Sequence, residues 1–449
     1  MKVWIFNQWD HLRSSFWFLP ATMSVLAIAL SFTMIKLDEE FASTVIEHVP
    51  WLWARGPDGA LSLLSTIAGS MITIAGVVFS ITIVALTLAS AQFGPRLLRN
   101  FMRDRGNQIS LGTFISTFLY CLLVIRAVKG GEPDQVFVPS LSIAVALVLA
   151  VASLGVLIYF MHHVSLSIQA PQVVAVVAED LHHAIDRLFP NKIGEEKNTT
   201  HNHHGEKDVP ADFEEMASPV RATRGGYIQA IDTDGLMNLA EEKDILIRIE
   251  RRPGHFVVKK APLVMVWPGA RLDDEIVEQI METFILGVQR TQEQDVEFAI
   301  DQLVEVAVRA LSPGINDPFT AINCIDRLGE ALCHAAGRTF PSPYRYSEHH
   351  GLRVIAFHVT FPSMIEAAFN QIRQYGRSSV GVTIRLLESI EVILTCVHLE
   401  KDRHALREQA NMIKRRSEET LFEELDRREV NKRYQAVMTA FRKKTYDYS

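Results

Sequence analysis

Arg290-Thr-Gln-Glu-Gln-Asp295 and, further on, Asn316-Asp317-Pro318 are the densest polar segments of the chain. Arg290, Asp295, Asn316 and Asp317 together could form a binding or gating surface. Much of the second segment has a simpler explanation, because an aspartate followed by proline makes a strong helix N-cap with proline at the first helical position. Neither the spacing nor a neighbouring nucleophile makes a catalytic set. His162-His163 form a second candidate. Two imidazoles at a membrane interface can sense pH, bind a lipid headgroup or join arginines in an ion path, or they can simply hydrogen-bond to backbone and headgroups. His201, His203 and His204 lie in a polar stretch without cysteine, so no metal is expected there. The four cysteines, Cys121, Cys324, Cys333 and Cys396, have no zinc or redox spacing. No phosphate loop, dinucleotide fingerprint or Ser-His-Asp order occurs. The expectation is a protein that is not an enzyme and carries no cofactor.

What must position these groups is a membrane scaffold. Leu61 to Phe93 is a run of 33 residues without a charge. As a helix at ~1.5 Å per residue it measures about 50 Å, against a bilayer core of about 30 Å. Thr66, Thr73, Ser80 and Thr87 recur every seven residues, so each lies about 20° behind the last. Gly69 and Gly76 flank the same seam. Small and hydroxylated seams let helices approach closely in lipid, or they face water. The second choice makes Thr66, Gly69, Thr73, Gly76, Ser80 and Thr87 the lining of a pore.

Three further spans are expected, at 15–35, 109–125 and 136–161. The first is too long in its apolar part, and lacks a small-residue cleavage site, to be a removable leader. Lys36 to Ala60 holds five acidic residues against Lys36 and Arg55, whereas Gln92 to Gln108 holds four arginines against Asp104 alone. The bias toward cytoplasmic positive charge therefore places both termini in the cytoplasm of a bacterial inner membrane. Arg96 to Arg103 reads as a short amphipathic helix on the inner leaflet, beyond a break at Gly94-Pro95. The expected spans contain no Asp or Glu. That argues against a coupled pump and leaves a passive channel open.

Residues 164–449 carry 43 of the acidic and 35 of the basic residues, a net of −8 within a chain total of −7. Such a balance excludes a nucleic-acid partner, which needs clustered Lys and Arg. The expected organisation is a four-helix transmembrane domain over 1–168, a linker helix and flexible loop over 169–220, a small β-rich unit over 221–268, and a mostly helical domain over 269–449. Pro253 through Leu263 is similar to the hammerhead hairpin of small biotinyl or lipoyl barrels, which suggests a barrel-like unit. Lys259-Lys260 has no carrier-lysine context. Asp273–Val288 and Gln292–Leu311 read as amphipathic helices, and Lys401–Lys444 as a charged helix pair. The fold class is thus an α-helical membrane protein with a mixed α+β cytoplasmic domain.

Along nearly its whole length the chain resembles the DUF2254 family of predicted bacterial membrane proteins. The resemblance rests on Ser90-Ala-Gln-Phe-Gly-Pro-Arg96, Gly112-Thr-Phe-Ile-Ser-Thr-Phe-Leu-Tyr-Cys121, His162-His163 and Gly226-Tyr-Ile-Gln-Ala-Ile-Asp232. Above all it rests on Arg290-Thr-Gln-Glu-Gln-Asp295 and Arg309-Ala-Leu-Ser-Pro-Gly-Ile-Asn-Asp-Pro-Phe-Thr320. It implies an integral membrane protein with a cytoplasmic domain and transfers no activity. The residues themselves favour an oligomeric ion channel lined by the second span and regulated by the cytoplasmic domain, with the bilayer, further copies of the chain and inorganic ions as partners. The alternative is a membrane-anchored sensor or scaffold that does not conduct.

Overall fold

The computed structural model describes residues 16–45, 56–97, 102, 104–130, 136–189, 205–347 and 351–442. The chain divides into two compact units, Met1–Gln172 and Val173–Ser449. Histidines 201, 203 and 204, and most of the amphipathic segment expected over 96–103, lie outside the described residues.

Among the described residues, the N-terminal unit contains four helices long and apolar enough to cross a membrane: α1 (Phe18–Val45), α2 (Gly56–Phe93), α3 (Arg105–Ala127) and α4 (Ser140–Ser167). Helix α1 continues ten residues past the expected end at 35, so Asp38, Glu39 and Glu40 are helical rather than loop. Helix α2 ends where Gly94 adopts a φ of +113° before Pro95, a conformation that glycine reaches without steric cost. Helix α3 is the hub, touching each of the other three. Half of its apolar window is buried, against about a fifth for each of the others. Its Phe114, Tyr120, Cys121 and Val124 interlock with Leu64, Ala68 and Met71 of α2 and with Ile143, Ala146 and Phe160 of α4. Gly112 lets α1 come close: a Cβ there would overlap the Met23 sulfur.

In the C-terminal unit, α5 (Ala170–Leu188) leads to an α/β layer. Strands β1 (Ser218–Arg221), β2 (Gly226–Ile231), β3 (Leu246–Ile249), β4 (Phe256–Val257) and β5 (Pro262–Trp267) alternate with α6 (Thr233–Glu242) and are followed by α7 (Asp274–Glu282) and β6 (Phe284–Gly287). Helices α8 (Val296–Ala310) and α9 (Pro318–Ala336) come next, then β7 (Tyr344–Tyr346) and β8 (Leu352–Ala356). Four helices close the unit: α10 (Phe361–Tyr375), α11 (Val380–Cys396), α12 (Glu400–Thr420) and α13 (Glu424–Arg442).

The strands do not close a barrel. They form an open five-stranded sheet in the order β1-β5-β3-β8-β7 and a separate three-stranded sheet in the order β4-β2-β6. Among the described strands only the β3–β8 pairing is parallel. The β-rich region therefore draws on residues well beyond 268. The long helix expected over 273–288 stops at Glu282, because Phe284-Ile-Leu-Gly287 pairs antiparallel with β2. A shared core of Ile228, Leu236, Ile245, Ile247, Val264, Val266, Ile276 and Ile280 lies between these elements. Ahead of β1, where a flexible loop was expected, Phe213 is buried against Leu246 and Ile355, with the Arg248 guanidinium 4.7 Å above its ring. In the helical layer, α8 packs on α9 and α10, α9 on α11, α10 on α12, and α13 on α11 and α12.

Candidate functional site

The second span has two faces. Leu64, Ile67, Ala68, Met71, Ala75 and Val78 are buried. Thr66, Gly69, Thr73, Gly76, Ser80 and Thr87 are all exposed. Thr66 and Ala68, or Thr73 and Met71, differ by two positions, about 200° around the helix, which puts the hydroxyl seam opposite the packed face. Gly69 and Gly76 have open space where a Cβ would stand. The seam is therefore not a packing surface for the described helices of this chain. Thr66, Thr73 and Thr87 donate their hydroxyl protons to the carbonyls of Ser62, Gly69 and Ile83 at 2.7, 2.8 and 2.9 Å, which leaves their oxygens as acceptors.

Two polar locks in the same unit were not visible as pairs in the sequence. Asp38 is only 3% exposed and accepts from the Leu141 and Ser142 amides at 2.8 Å each and from the Ser142 hydroxyl at 2.6 Å. Helix α4 begins after Pro139, which offers no side-chain cap, so α1 supplies one from a distance. Tyr120 donates to the Ser142 carbonyl at 3.1 Å. At the other end of α4, His163 donates through Nε2 to both carboxylate oxygens of Asp104 at 2.8 Å and stacks on Tyr159. Asp104 also caps α3 by accepting from the Asn107 amide. His162 is exposed, so the two adjacent histidines occupy different surroundings.

In the C-terminal unit, Arg290 and Asp295 meet, and Asn316 and Asp317 do not join them. Arg290 donates through Nε to Asp295 at 2.8 Å and through Nη1 to Asp301 at 2.7 Å, with its guanidinium over the Phe298 ring. Asp295 is 3% exposed and caps α8 through the Phe298 amide. A Cβ at Gly254, whose φ is +88°, would overlap the Asp295 carboxylate. The intervening residues are equally engaged. Gln294 exchanges hydrogen bonds with both backbone groups of Ile231 at 2.9 and 3.1 Å, and Thr291 donates to the Gln229 carbonyl. Arg187 of α5 donates to the carbonyls of Gln292 and Glu293. The segment is a fastener joining β2, α5 and α8. Asn316, at a φ of +52°, and Asp317, which caps α9 through the Phe319 and Thr320 amides, follow the opposite end of α8. The 15 residues of α8, about 22 Å, stand between the two segments.

The unit also holds a cavity of about 240 Å³ that no sequence motif announced. Its apolar wall includes Leu188, Phe189, Ile231, Val296 and Phe357, and its polar wall includes Thr233, Arg252, Gln294, Arg345 and His358. Arg252 is neutralised by Glu297 at 2.7 Å. Arg345 donates through Nη2 to His358 Nε2 at 2.8 Å and, among the described residues, has no carboxylate partner. Burial holds its pKa below the usual guanidinium value, with no acid among the described residues to offset it. An arginine offers no acceptor, so His358 Nε2 carries no proton and Nδ1 does. Burial, and then the Arg345 charge, push the His358 pKa down and keep the ring neutral.

Among the described residues no group of three His, Cys, Asp or Glu side chains could hold a metal ion. Cys333 and Cys396 interact across α9 and α11; burial first, and then that contact, push the Cys333 thiol up to about 12.

A family model described as a predicted membrane protein, DUF2254, matches residues 13–392. An uncharacterized protein of Mycobacterium bovis and another of Mycobacterium tuberculosis are each 30% identical over 424 residues, spanning 93% of this chain and 79% of their own length. No solved structure matches the chain.

Proposed function

We propose that this chain, which belongs to the DUF2254 family of predicted membrane proteins, self-associates through its second span into an oligomeric pore for inorganic ions. One observation carries this reading: the seam from Thr66 to Thr87 runs about the thickness of a bilayer, and Thr66, Gly69, Thr73, Gly76, Ser80 and Thr87 are all left uncovered by the described helices. Four spans cannot enclose an aqueous path alone. A closed ring with α2 innermost would bring several copies of the seam around one axis. The hydroxyl oxygens, whose protons are already bonded to backbone, would then act as neutral acceptors for a passing cation. The positive-inside rule puts the C-terminal unit in the cytoplasm as the regulator. His162 and the His163–Asp104 pair stand near that face, where a gate would act. In the regulator, Arg290 and Asp295 act as a fastener, and Asn316 and Asp317 shape the turn into α9. Reconstituted in planar bilayers, the protein should give unitary currents that Thr73→Leu and Ser80→Leu abolish while assembly survives. Unchanged conductance in both variants would sink the proposal.

A second reading, a membrane-anchored sensor without conduction, draws support from the cavity beside Arg345. Silent bilayers containing well-folded protein would favour it.

A further inference from the structure

We infer that the cavity lined by Arg345 and His358 is a binding site for a small organic monocarboxylate with an apolar body. The inference stands apart from whether α2 conducts. It starts from an imbalance of charge. A guanidinium has five N–H donors, and only one of those on Arg345 has a protein acceptor among the described residues. Taking a cation out of water without a counter-charge is costly, and proteins ordinarily answer it with a carboxylate. The other charged or nitrogen-bearing members of the wall are answered. Arg252 has Glu297, Gln294 is tied to the Ile231 backbone, and His358 has spent its Nε2 lone pair on Arg345 itself.

The class of ligand follows from the rest of the lining. One uncompensated positive charge calls for one negative charge, and the planar fork of arginine matches a carboxylate with two parallel bonds. A phosphomonoester brings about 1.5 to 2 charges near neutral pH and would leave part of that unanswered. His358, neutral and protonated at Nδ1, adds a donor without adding charge. Leu188, Phe189, Ile231 and Val296 supply apolar wall, and Phe357, 57% exposed, supplies an apolar surface with access to solvent. The volume of about 240 Å³ is smaller than the sites of drug-sized ligands, which start at about 300 Å³. An aromatic or branched short-chain acid fits that size.

The test uses the full-length protein in detergent or nanodiscs, with calorimetry and thermal melts against benzoate, isovalerate, benzamide and inorganic phosphate. Benzoate and isovalerate should bind and raise the melting temperature, with benzamide and phosphate at least tenfold weaker. Arg345→Met should weaken benzoate tenfold or more while melting, without ligand, at or above the wild-type temperature. If that variant fails to fold, Phe357→Asp puts a repelling charge at an exposed position and should give the same loss. Benzamide or phosphate binding as tightly as benzoate would overturn the inference. So would undiminished benzoate affinity in the folded variants, or no binding of either acid at millimolar concentration.

Discussion

Arg290 and Arg345 sit in the same unit, both partly buried, and the chain treats them in opposite ways. Arg290 is held by two carboxylates, Asp295 at 2.8 Å and Asp301 at 2.7 Å, with an aromatic ring against its face. Arg345 has, among the described residues, a neutral imidazole for company and a cavity in front of it. A cation whose charge is answered by two carboxylates inside the fold can fasten elements together but has little left to offer a ligand. A cation with donors to spare beside a void is poorly satisfied in the fold alone. The difference separates fastener from receptor more sharply than the residue type does.

Removing each arginine should therefore have contrasting effects. Arg290→Met leaves Asp295, almost fully buried, without its counter-ion and should destabilise the C-terminal unit by about 3–5 kcal/mol. Arg345→Met removes a charge that no described carboxylate answers and should leave stability unchanged or improved. Thermal melts of both variants in the full-length protein check the contrast. Equal losses would mean that Arg345 has a structural partner after all, and would collapse the distinction.

Asp38 supplies a third buried charge, this time an anion answered by a helix terminus instead of an arginine. It should behave as a fastener of smaller size. Asp38→Ala strands the Leu141 and Ser142 amides at the start of α4, and the expected cost is about 1–3 kcal/mol. Asp38→Asn keeps an acceptor for one of those amides and should recover part of it. Protease resistance and melting of the N-terminal unit in detergent measure both. A neutral Asp38→Ala would show that Pro139 leaves no cap to be missed.

The parts of this molecule that follow from local pattern could be read from the sequence. Four apolar runs named the spans, and Asp317-Pro318 named the cap and first turn of α9. Boundaries slipped where a tertiary partner decided the matter: Asp38 extends α1 because α4 needs a cap, and Phe284–Gly287 leaves the helical pattern because β2 offers it a strand partner. The barrel expected from the Pro253–Leu263 hairpin gave way to two open sheets, because β3 pairs with β8 from a hundred residues later in the chain. Arg290 stood out because its partners are near in sequence. Arg345 did not, since its significance lies in a cavity beside it and in the lack of a carboxylate partner among the described residues, which no sequence spacing records. The nearest sequence signal was an arginine between two tyrosines, which also describes an ordinary edge strand.

The smallest expected effect distinguishes the two arginine neighbourhoods by their histidines. His255 accepts from Arg252 beside the Arg290 fastener, and His358 accepts from Arg345. Burial first, and then the adjacent arginine, hold both pKa values below the ordinary value of about 6.5. Above pH 6.5 each ring is neutral in the folded and the unfolded chain, so neither contributes a pH dependence. As the pH falls through that value the unfolded chain takes up protons that the folded chain refuses, and stability is lost until the folded values are reached. A carboxylate bound at Arg345 would act chiefly on His358, because its negative charge sits against the Arg345–His358 pair and favours protonation of that ring, whereas Arg252, on the same wall, is already answered by Glu297. Saturating benzoate should therefore shallow the decline of melting temperature between pH 6.5 and 5, and His358→Gln should abolish that difference while His255→Gln preserves it. Identical slopes with and without benzoate in the wild-type protein would place the anion elsewhere and return Arg345 to the scaffold.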